Sequence, residues 1–375
     1  MDFEFTPEQN ALRESTARWV ARAYPFSRRR KIAAVDGFDR SAYAELAALG
    51  LTALRVPVDY DGLGLSPVDG MVVMEELGRG LILEPLSPTA WIASECLTHA
   101  PQPLRREWLP RVASGEALLA FAHEERNSRY SGKVWSQAAA HGANFSVTGT
   151  KAVVPIGDRV DAFLVSACIP ACTGGPGLFL VKHIAPGVRA LGYSTQDGGR
   201  AAEVVFSEAP ATLVADSTIG SDAIAAAIAG GIAALCAEAV GVMDALFAMT
   251  IDHLKIRQQF GAPLASFQAL RHRMADCKMA LELARSMSYY AHLMLQEGAL
   301  VRDQAVAQAK VQVGQSARFV GEQAIQLHGG TGVTDAHAAS HYFRRLTCID
   351  LSLGDSLHHL GQVARRMDFT AGVLR

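Results

Sequence analysis

Two segments decide the interpretation of this sequence: RQQFG, from Arg257 to Gly261, and QLHGGTGVT, from Gln326 to Thr334. Both lie in long, alanine-rich stretches with helical periodicity, and the second ends its helical run in a turn that contains three glycines. Such a turn frees backbone N–H groups and lets a ligand approach closely, because glycine has no Cβ. An arginine fork is a usual partner of a phosphate group. Together the segments predict a phosphate-bearing cofactor held by helices, whereas each alone is also explained by a solvated arginine or a helix C-cap.

The composition sets limits on the kind of protein. The chain has 375 residues, half of them hydrophobic, so two or three domains with a sizeable core are expected. The net charge of −2 and the lack of a basic stripe argue against a nucleic-acid partner. The acidic N-terminus, MDFEFTPEQN, is unlike a signal peptide, so we expect a cytoplasmic protein.

The apolar run from Ala223 to Ala237 is shorter than a membrane span, and we interpret it as a buried core helix, with no membrane partner. The cysteines form no CxxC pair, which favours reduced thiols, and Cys168 and Cys172 are too isolated to predict a metal site. His337 and His341 have the i, i+4 spacing of a metal pair, but a solvated helix face is the favoured interpretation and no metal is predicted.

The periodicity changes twice along the chain and predicts an α+β fold. Residues 1–118 have helical patterns, with a capping box at Thr6 and a second helix that Ser41 begins and Gly50 ends. Residues 119–218 contain short alternating or apolar runs separated by glycine and proline, which predict strands. Residues 219–375 return to helical periodicity, in runs near 221–254, 267–296, 301–328 and 355–368.

This order, with RQQFG in the second helical block and QLHGGTGVT further along, resembles the acyl-CoA dehydrogenase flavoproteins over nearly the whole chain. Further landmarks are VDYDGLG at 58–64 and EELG at 75–78. The segments AHEERNSRY at 122–130, HYFRRLT at 341–347 and SLGDSLHHL at 352–360 resemble the branch that includes small subunits of pimeloyl-CoA dehydrogenases. The resemblance implies an N-terminal helical domain, a middle β-barrel-like domain and a C-terminal four-helix bundle.

The resemblance also implies an FAD site between the β domain and the C-terminal helices, completed by a second protomer. In it, Arg257 holds the pyrophosphate of the neighbouring chain's FAD and His123 takes the place of a flavin-contacting threonine. Val153 and Pro155 replace the tryptophan and threonine that commonly flank the flavin ring. The other residues that the resemblance assigns to the cofactor are Phe260, Gln268, Gln326, Leu327, His328, Gly329, Gly330 and Asp355. The implied partners are an acyl-CoA substrate, an electron-transfer flavoprotein as electron acceptor, and further chains in a homodimer, a dimer of dimers or a heterotetramer with a large subunit.

The family reaction removes a proton from the carbon next to a thioester and passes a hydride from the following carbon to the flavin. It requires a carboxylate base. Here Leu353 stands at the commonest position of that base, and Ala225 or its neighbour Ile224 at the alternative one. The nearest acids are Asp222, which we interpret as a helix N-cap before a base, and Asp355, for which a bond to FAD or a helix cap is favoured over catalysis.

Three functions therefore stay open from the sequence. The leading one is an FAD-dependent acyl-CoA dehydrogenase for a dicarboxylyl or otherwise bulky acyl chain. The second is a base-deficient FAD-binding small subunit of a heteromeric dehydrogenase. The third is a flavin oxidase or monooxygenase on the same fold, because fold alone does not separate these chemistries.

Overall fold

The computed structural model describes residues 4–142, 144–170 and 175–370. Cys172 lies outside the described residues. By its internal contacts the chain forms two compact units. The first comprises Met1–Lys31, Pro67–Ile82 and Ile232–Arg375, and the second comprises Ile32–Ser66 and Leu83–Gly231. The division into domains at 1–118, 119–218 and 219–375 stays a prediction.

The described residues contain helices, then strands, then helices, which confirms the α+β prediction. The helices are α1 (Pro7–Ala23), α2 (Phe26–Val35), α3 (Arg40–Ala48), α4 (Pro67–Arg79), α5 (Ile92–Thr98), α6 (Gln102–Ala113), α7 (Gly220–Ile256), α8 (Gln268–Met294), α9 (Ala299–His328), α10 (Ala338–Leu351) and α11 (Ser356–Thr370). The strands are β1 (Leu119–Ala122), β2 (Gln137–His141), β3 (Asn144–Pro155), β4 (Ala162–Ala167), β5 (Gly177–Lys182), β6 (Val188–Ser194), β7 (Arg200–Ala215), β8 (Gln258–Gln259) and β9 (Ala262–Pro263). The four predicted C-terminal runs correspond to α7, α8, α9 and α11, whereas α10 was not predicted.

Capping explains where two of the early helices begin. The Thr6 side chain accepts from the Gln9 backbone and the Gln9 side chain accepts from the Thr6 N–H, which confirms the predicted capping box of α1. The prediction that Ser41 begins the next helix was wrong, because α2 comes first and the N-cap of α3 is Asp39. Gly50 does end α3, and its φ of 78° suits a residue without a Cβ.

The β-sheet of the second unit is nearly closed on itself. Its strand order is β1-β4-β5-β7-β3-β2, with β6 on β7, and β1 is parallel to β4 while the other pairs are antiparallel. A bridge between Gln137 and Cys168 joins the start of β2 to the residue after β4. The long strand β7 pairs with β5, β3 and β6, and the enclosed core includes Phe163, Phe179 and Phe206. This arrangement confirms the barrel-like β module.

In the first unit, helices α4 and α7 cross closely at two glycines. A Cβ on Gly241 of α7 would lie 1.8 Å from the carbonyl oxygen of Glu75 in α4, and a Cβ on Gly78 would lie 2.2 Å from that of Glu238. The Glu75 carboxylate is buried and accepts from Arg285 at 3.0 Å. The Glu238 carboxylate is gripped by both arms of the Arg345 guanidinium. Two ion pairs with buried carboxylates and partly exposed arginines therefore flank a backbone contact that only glycine permits.

Helix α7 is longer than the apolar run suggested. It has 37 residues and is long and apolar enough to cross a membrane by length and composition, so the expectation of a segment too short to do so was wrong. Yet 72% of its most apolar 18-residue window is buried inside the protein. This burial agrees with the predicted core helix, and a buried core helix passes the same test of length and composition.

Candidate functional site

The RQQFG segment forms a tight hairpin directly after α7. Strands β8 and β9 pair across a two-residue turn in which Phe260 and Gly261 both have positive φ, 55° and 77°, as a type I′ turn requires. The turn presents the Phe260 ring to the outside with 92% of its surface exposed, edge-on to Phe267. Arg257 is exposed at the base of the hairpin, and its carbonyl accepts from the Leu264 N–H. The hairpin therefore offers an outward guanidinium and an outward aromatic ring.

The glycine turn lies at the C-terminal end of α9, in the same unit. Gln326 is exposed, as is Gln268 at the start of α8, whereas Leu327 packs in a small core with Leu254 and Met274. Gly329 has a φ of 60°, and a Cβ on Gly329 or Gly330 would meet nothing within 4 Å. The backbone at this turn is thus open to close approach by a ligand.

A row of imidazoles links the end of α7 to the glycine turn. The ring of His253 lies 4.5 Å from that of His328, which lies 5.0 Å from that of His337. The contact thus joins His253, one helical turn before Arg257, to His328, the residue that precedes Gly329. Burial lowers the pKa values of His253 and His328, and the neighbouring imidazoles lower them further. Because the Leu327 and His328 side chains face inward, only their backbone is available to a cofactor.

The predicted solvated face for His337 and His341 was wrong. His337 is the N-cap of α10, and its Nδ1 accepts from the Ala339 N–H. His341 is buried: its Nδ1 accepts from Arg29, and its Nε2 donates to the Asp335 carbonyl. Within residues 4–142, 144–170 and 175–370, no group of three or more His, Cys, Asp or Glu side chains is arranged to hold a metal ion.

The positions that the family resemblance assigns to the base hold apolar side chains. Leu353 is half-buried with a φ of 54°, and its carbonyl accepts from Nε2 of His359 at 3.0 Å. Ile224 is buried and Ala225 half-buried in α7. None of these three side chains accepts a proton.

The two acidic candidates have structural positions. Asp355 accepts from the His358 N–H at 2.8 Å and so caps α11, which was one of the roles favoured for it. Asp222 is exposed in the first turn of α7. Its interpretation as the N-cap was wrong, because α7 already begins at Gly220. In the first turn its negative charge interacts favourably with the positive end of the helix dipole.

The sequence did not predict the roles of two basic residues that contact the loop at Leu353, between α10 and α11. Lys310 is buried in α9, where its Nζ donates to the carbonyls of Ile349 and Ser352, and burial lowers its pKa to about 8. Burial lowers the pKa of His359 to about 4. Lys310 therefore binds one carbonyl in the last turn of α10 and one in the loop that follows, and His359 binds the Leu353 carbonyl in the same loop, so side chains from α9 and α11 hold this loop in place. The sequence feature that could have indicated Lys310 is a lone lysine within an apolar helical stretch.

The β module positions His123 through a buried polar cluster. His123 Nδ1 lies 3.0 Å from Ser166 Oγ, and the ring stacks on Phe121 with an interplanar angle of 3°. The Lys151 ammonium donates to the His123 carbonyl and to the Ser166 hydroxyl oxygen. Val153 has a φ of 52° and is 59% exposed.

The outward groups of the first unit fit a dinucleotide cofactor. A guanidinium and an open glycine turn are suited to a pyrophosphate, and an exposed aromatic ring to a nucleobase. The residues that supply them are Arg257, Gly329, Gly330 and Phe260, with amide side chains from Gln268 and Gln326.

Comparisons with known proteins identify the family to which this chain is similar. The model of the acyl-CoA dehydrogenase N-terminal domain matches residues 6–116, and that of the C-terminal domain matches residues 219–368. Probable acyl-CoA dehydrogenase YngJ of Bacillus subtilis (strain 168) is 25% identical, over 98% of this chain and 100% of the relative.

Two solved structures are similar over almost their whole length. A chain of the Tcur3481-Tcur3483 steroid ACAD, in a variant form, has a TM-score of 0.89 and 29% identity, and the match covers 97% of this chain and 99% of that one. A chain of the ChsE4-ChsE5 complex from Mycobacterium tuberculosis has a TM-score of 0.90 and 25% identity, with coverage of 98% and 99%.

Proposed function

Because this chain belongs to the acyl-CoA dehydrogenase family, whose members are FAD-dependent oxidoreductases, we propose that it is one subunit of a heteromeric acyl-CoA dehydrogenase. A second, different chain supplies the carboxylate that removes the substrate's α-proton. The observation that carries this proposal is that Leu353, Ile224 and Ala225, at the positions that the resemblance assigns to the base, offer no proton acceptor.

Both acidic alternatives are poorly suited to replace the base. A base for a weakly acidic C–H proton needs a desolvated carboxylate. Asp222 is exposed, and the Asp355 carboxylate already accepts the N–H that it caps. A carboxylate that is solvated or hydrogen-bonded as an anion is a weaker base.

The comparisons support a heteromer. The two similar structures are each named for a pair of proteins, Tcur3481 with Tcur3483 and ChsE4 with ChsE5. We extend the pairing to this chain as a proposal, together with a bulky acyl thioester as substrate, which accords with the steroid ACAD name of one of them. An electron-transfer flavoprotein as acceptor and a cytoplasmic location remain predictions.

The residues of this chain would hold the cofactor rather than move the proton. FAD, when bound, supplies the hydride acceptor. Arg257 and the amides of the glycine turn at Gly329 and Gly330 would bind its pyrophosphate, and Phe260 would cover its adenine side. His123 would contact the flavin ring. The fixed loop at Leu353 would present an apolar wall where a base stands in related chains.

The test compares the visible spectrum of the FAD-loaded chain alone with that of the chain co-purified with a second dehydrogenase chain that carries the glutamate. Spectra are recorded anaerobically before and after addition of acyl-CoA thioesters, including pimeloyl-CoA and a steroid acyl-CoA. We expect the flavin to stay oxidised in the chain alone and to bleach in the assembly. Bleaching by the chain alone would overturn the proposal, and its loss in Asp222→Asn or Asp355→Asn would identify the base.

A further inference from the structure

A lysine without solvent contact lies at the centre of the polar cluster in the β module. Lys151 is fully buried, and its Nζ has three acceptors: Glu125 Oε1 at 2.7 Å, Ser166 Oγ at 3.0 Å and the His123 carbonyl at 3.2 Å. An ammonium has three N–H donors, so this set uses all of them.

The carboxylate of Glu125 keeps the lysine charged and in place. It accepts from the Trp135 N–H at 2.9 Å and from both the N–H and the hydroxyl of Ser136, at 3.0 and 2.8 Å. Burial acts to raise the pKa of Glu125, but the hydrogen bonds and charge of Lys151 and the Ser136 donors outweigh it and the pKa is lowered. Burial lowers the pKa of Lys151, and Glu125 opposes that shift. The pair is therefore a buried ion pair with satisfied donors.

Ser166 connects Lys151 to His123 through hydrogen bonds. Its hydroxyl oxygen accepts from Lys151, and the side chain is fully buried, so its own O–H needs an acceptor. Nδ1 of His123, 3.0 Å away, is the acceptor that the structure offers. An imidazole whose Nδ1 accepts carries its proton on Nε2. Burial, and then the charge of Lys151, lower the pKa of His123 to about 4, so the ring is neutral near pH 7.

We propose that Lys151 and Ser166 are positioning residues that hold His123 as the Nε2–H tautomer, so that this chain presents a neutral hydrogen-bond donor to the flavin ring. The parallel ring of Phe121 holds the imidazole plane. The tautomer follows from this chain's own contacts, whereas its partner, the flavin, rests on the proposed function. A neutral donor can hydrogen-bond a flavin acceptor without placing a full positive charge beside the ring.

The test uses nitrogen NMR of the full chain labelled with ¹⁵N-histidine, first without FAD. The His123 signals are assigned by their loss in His123→Gln. We expect a protonated Nε2 and an unprotonated Nδ1 near pH 7. In Ser166→Ala, we expect the preference for this tautomer to fall about fivefold, the scale of one net hydrogen bond. Ser166→Thr, which keeps the hydroxyl, should retain it. A wild-type Nδ1–H tautomer would overturn the proposal whether or not Ser166→Ala folds.

Adding FAD separates this inference from the proposed function. A change in the Nε2 shift of His123 on binding supports the contact with the flavin. FAD that binds and leaves that shift unchanged would refute the contact. If the expected tautomer is present but FAD does not bind, the FAD-binding part of the proposed function fails while the role of Lys151 and Ser166 in orienting His123 stands.

Discussion

The close crossing of α4 and α7 makes a strong prediction for Gly241→Ala. The added Cβ would lie 1.8 Å from the Glu75 carbonyl oxygen, and Cβ contacts below 3.0 Å essentially never occur. The two backbones must therefore separate by more than an ångström, which also disturbs the ion pair between the buried Glu75 carboxylate and the partly exposed Arg285. Overpacking of this kind costs about 1–3 kcal/mol, and a rigid backbone acceptor favours the upper end. After the gain of roughly 0.5–1 kcal/mol from replacing a helical glycine by alanine, we expect a net loss of about 2 kcal/mol in the free energy of unfolding.

The same helix supplies the control. Gly230 also lies in α7, and a Cβ there would meet nothing within 4 Å, so Gly230→Ala should stabilise the protein by about 0.5–1 kcal/mol. The assay is urea unfolding followed by tryptophan fluorescence, with the midpoints compared at equal slope. If Gly241→Ala unfolds at the same urea concentration as Gly230→Ala, the predicted clash between the added Cβ and the Glu75 carbonyl oxygen is refuted.

Further predictions concern the cofactor, acid stability and a helix cap. Arg257→Gln should weaken FAD binding in titrations of the apo-assembly by about one to two decades, the loss expected for one charged hydrogen bond, while Lys255→Gln, at the same helix end, should change it little. Because the pKa of His359 is lowered from 6.5 to about 4 in the folded protein, its contribution to stability is present above pH 6.5 and is lost as the pH falls towards 4. That loss is about 3 kcal/mol, and His359→Gln should flatten the pH profile of the urea midpoint; an unchanged profile would contradict the assignment. Thr6→Ala should cost about 1 kcal/mol by removing the capping box, and Thr6→Ser should restore the thermal midpoint.

Periodicity and capping chemistry were enough to predict the order of helices and strands. The Thr6 capping box and the end of α3 at Gly50 depend on neighbours in sequence, and both predictions are confirmed. Helix α2 was missed because FSRRRKIAAV carries no clear apolar stripe. Its Arg29 is fully buried and donates to the Leu81 carbonyl and to His341, contacts distant in sequence that no local pattern contains.

The candidate site likewise contains features that the sequence predicted and features that it did not. The hairpin that presents Arg257 and Phe260 outward was not predicted from the sequence. The resemblance assigned the base position to Leu353, and that assignment stays a prediction. Lys310 and Ser166 were missed because their roles depend on partners from other elements of the fold. The cofactor assignments of individual residues stay predictions.

The interrupted course of the first unit has a consequence for synthesis on the ribosome. Its helices α1 and α4 come from the N-terminal part of the chain, but the rest of the unit follows only after Ile232. The apolar face of α4, with Gly78 near its end, is therefore translated long before the segment around Gly241 that packs against this helix. Contacts so distant in sequence form slowly and leave hydrophobic surface exposed meanwhile. Nascent chains stalled before Ile232 should thus depend on chaperones, whereas the second unit by then has all its segments.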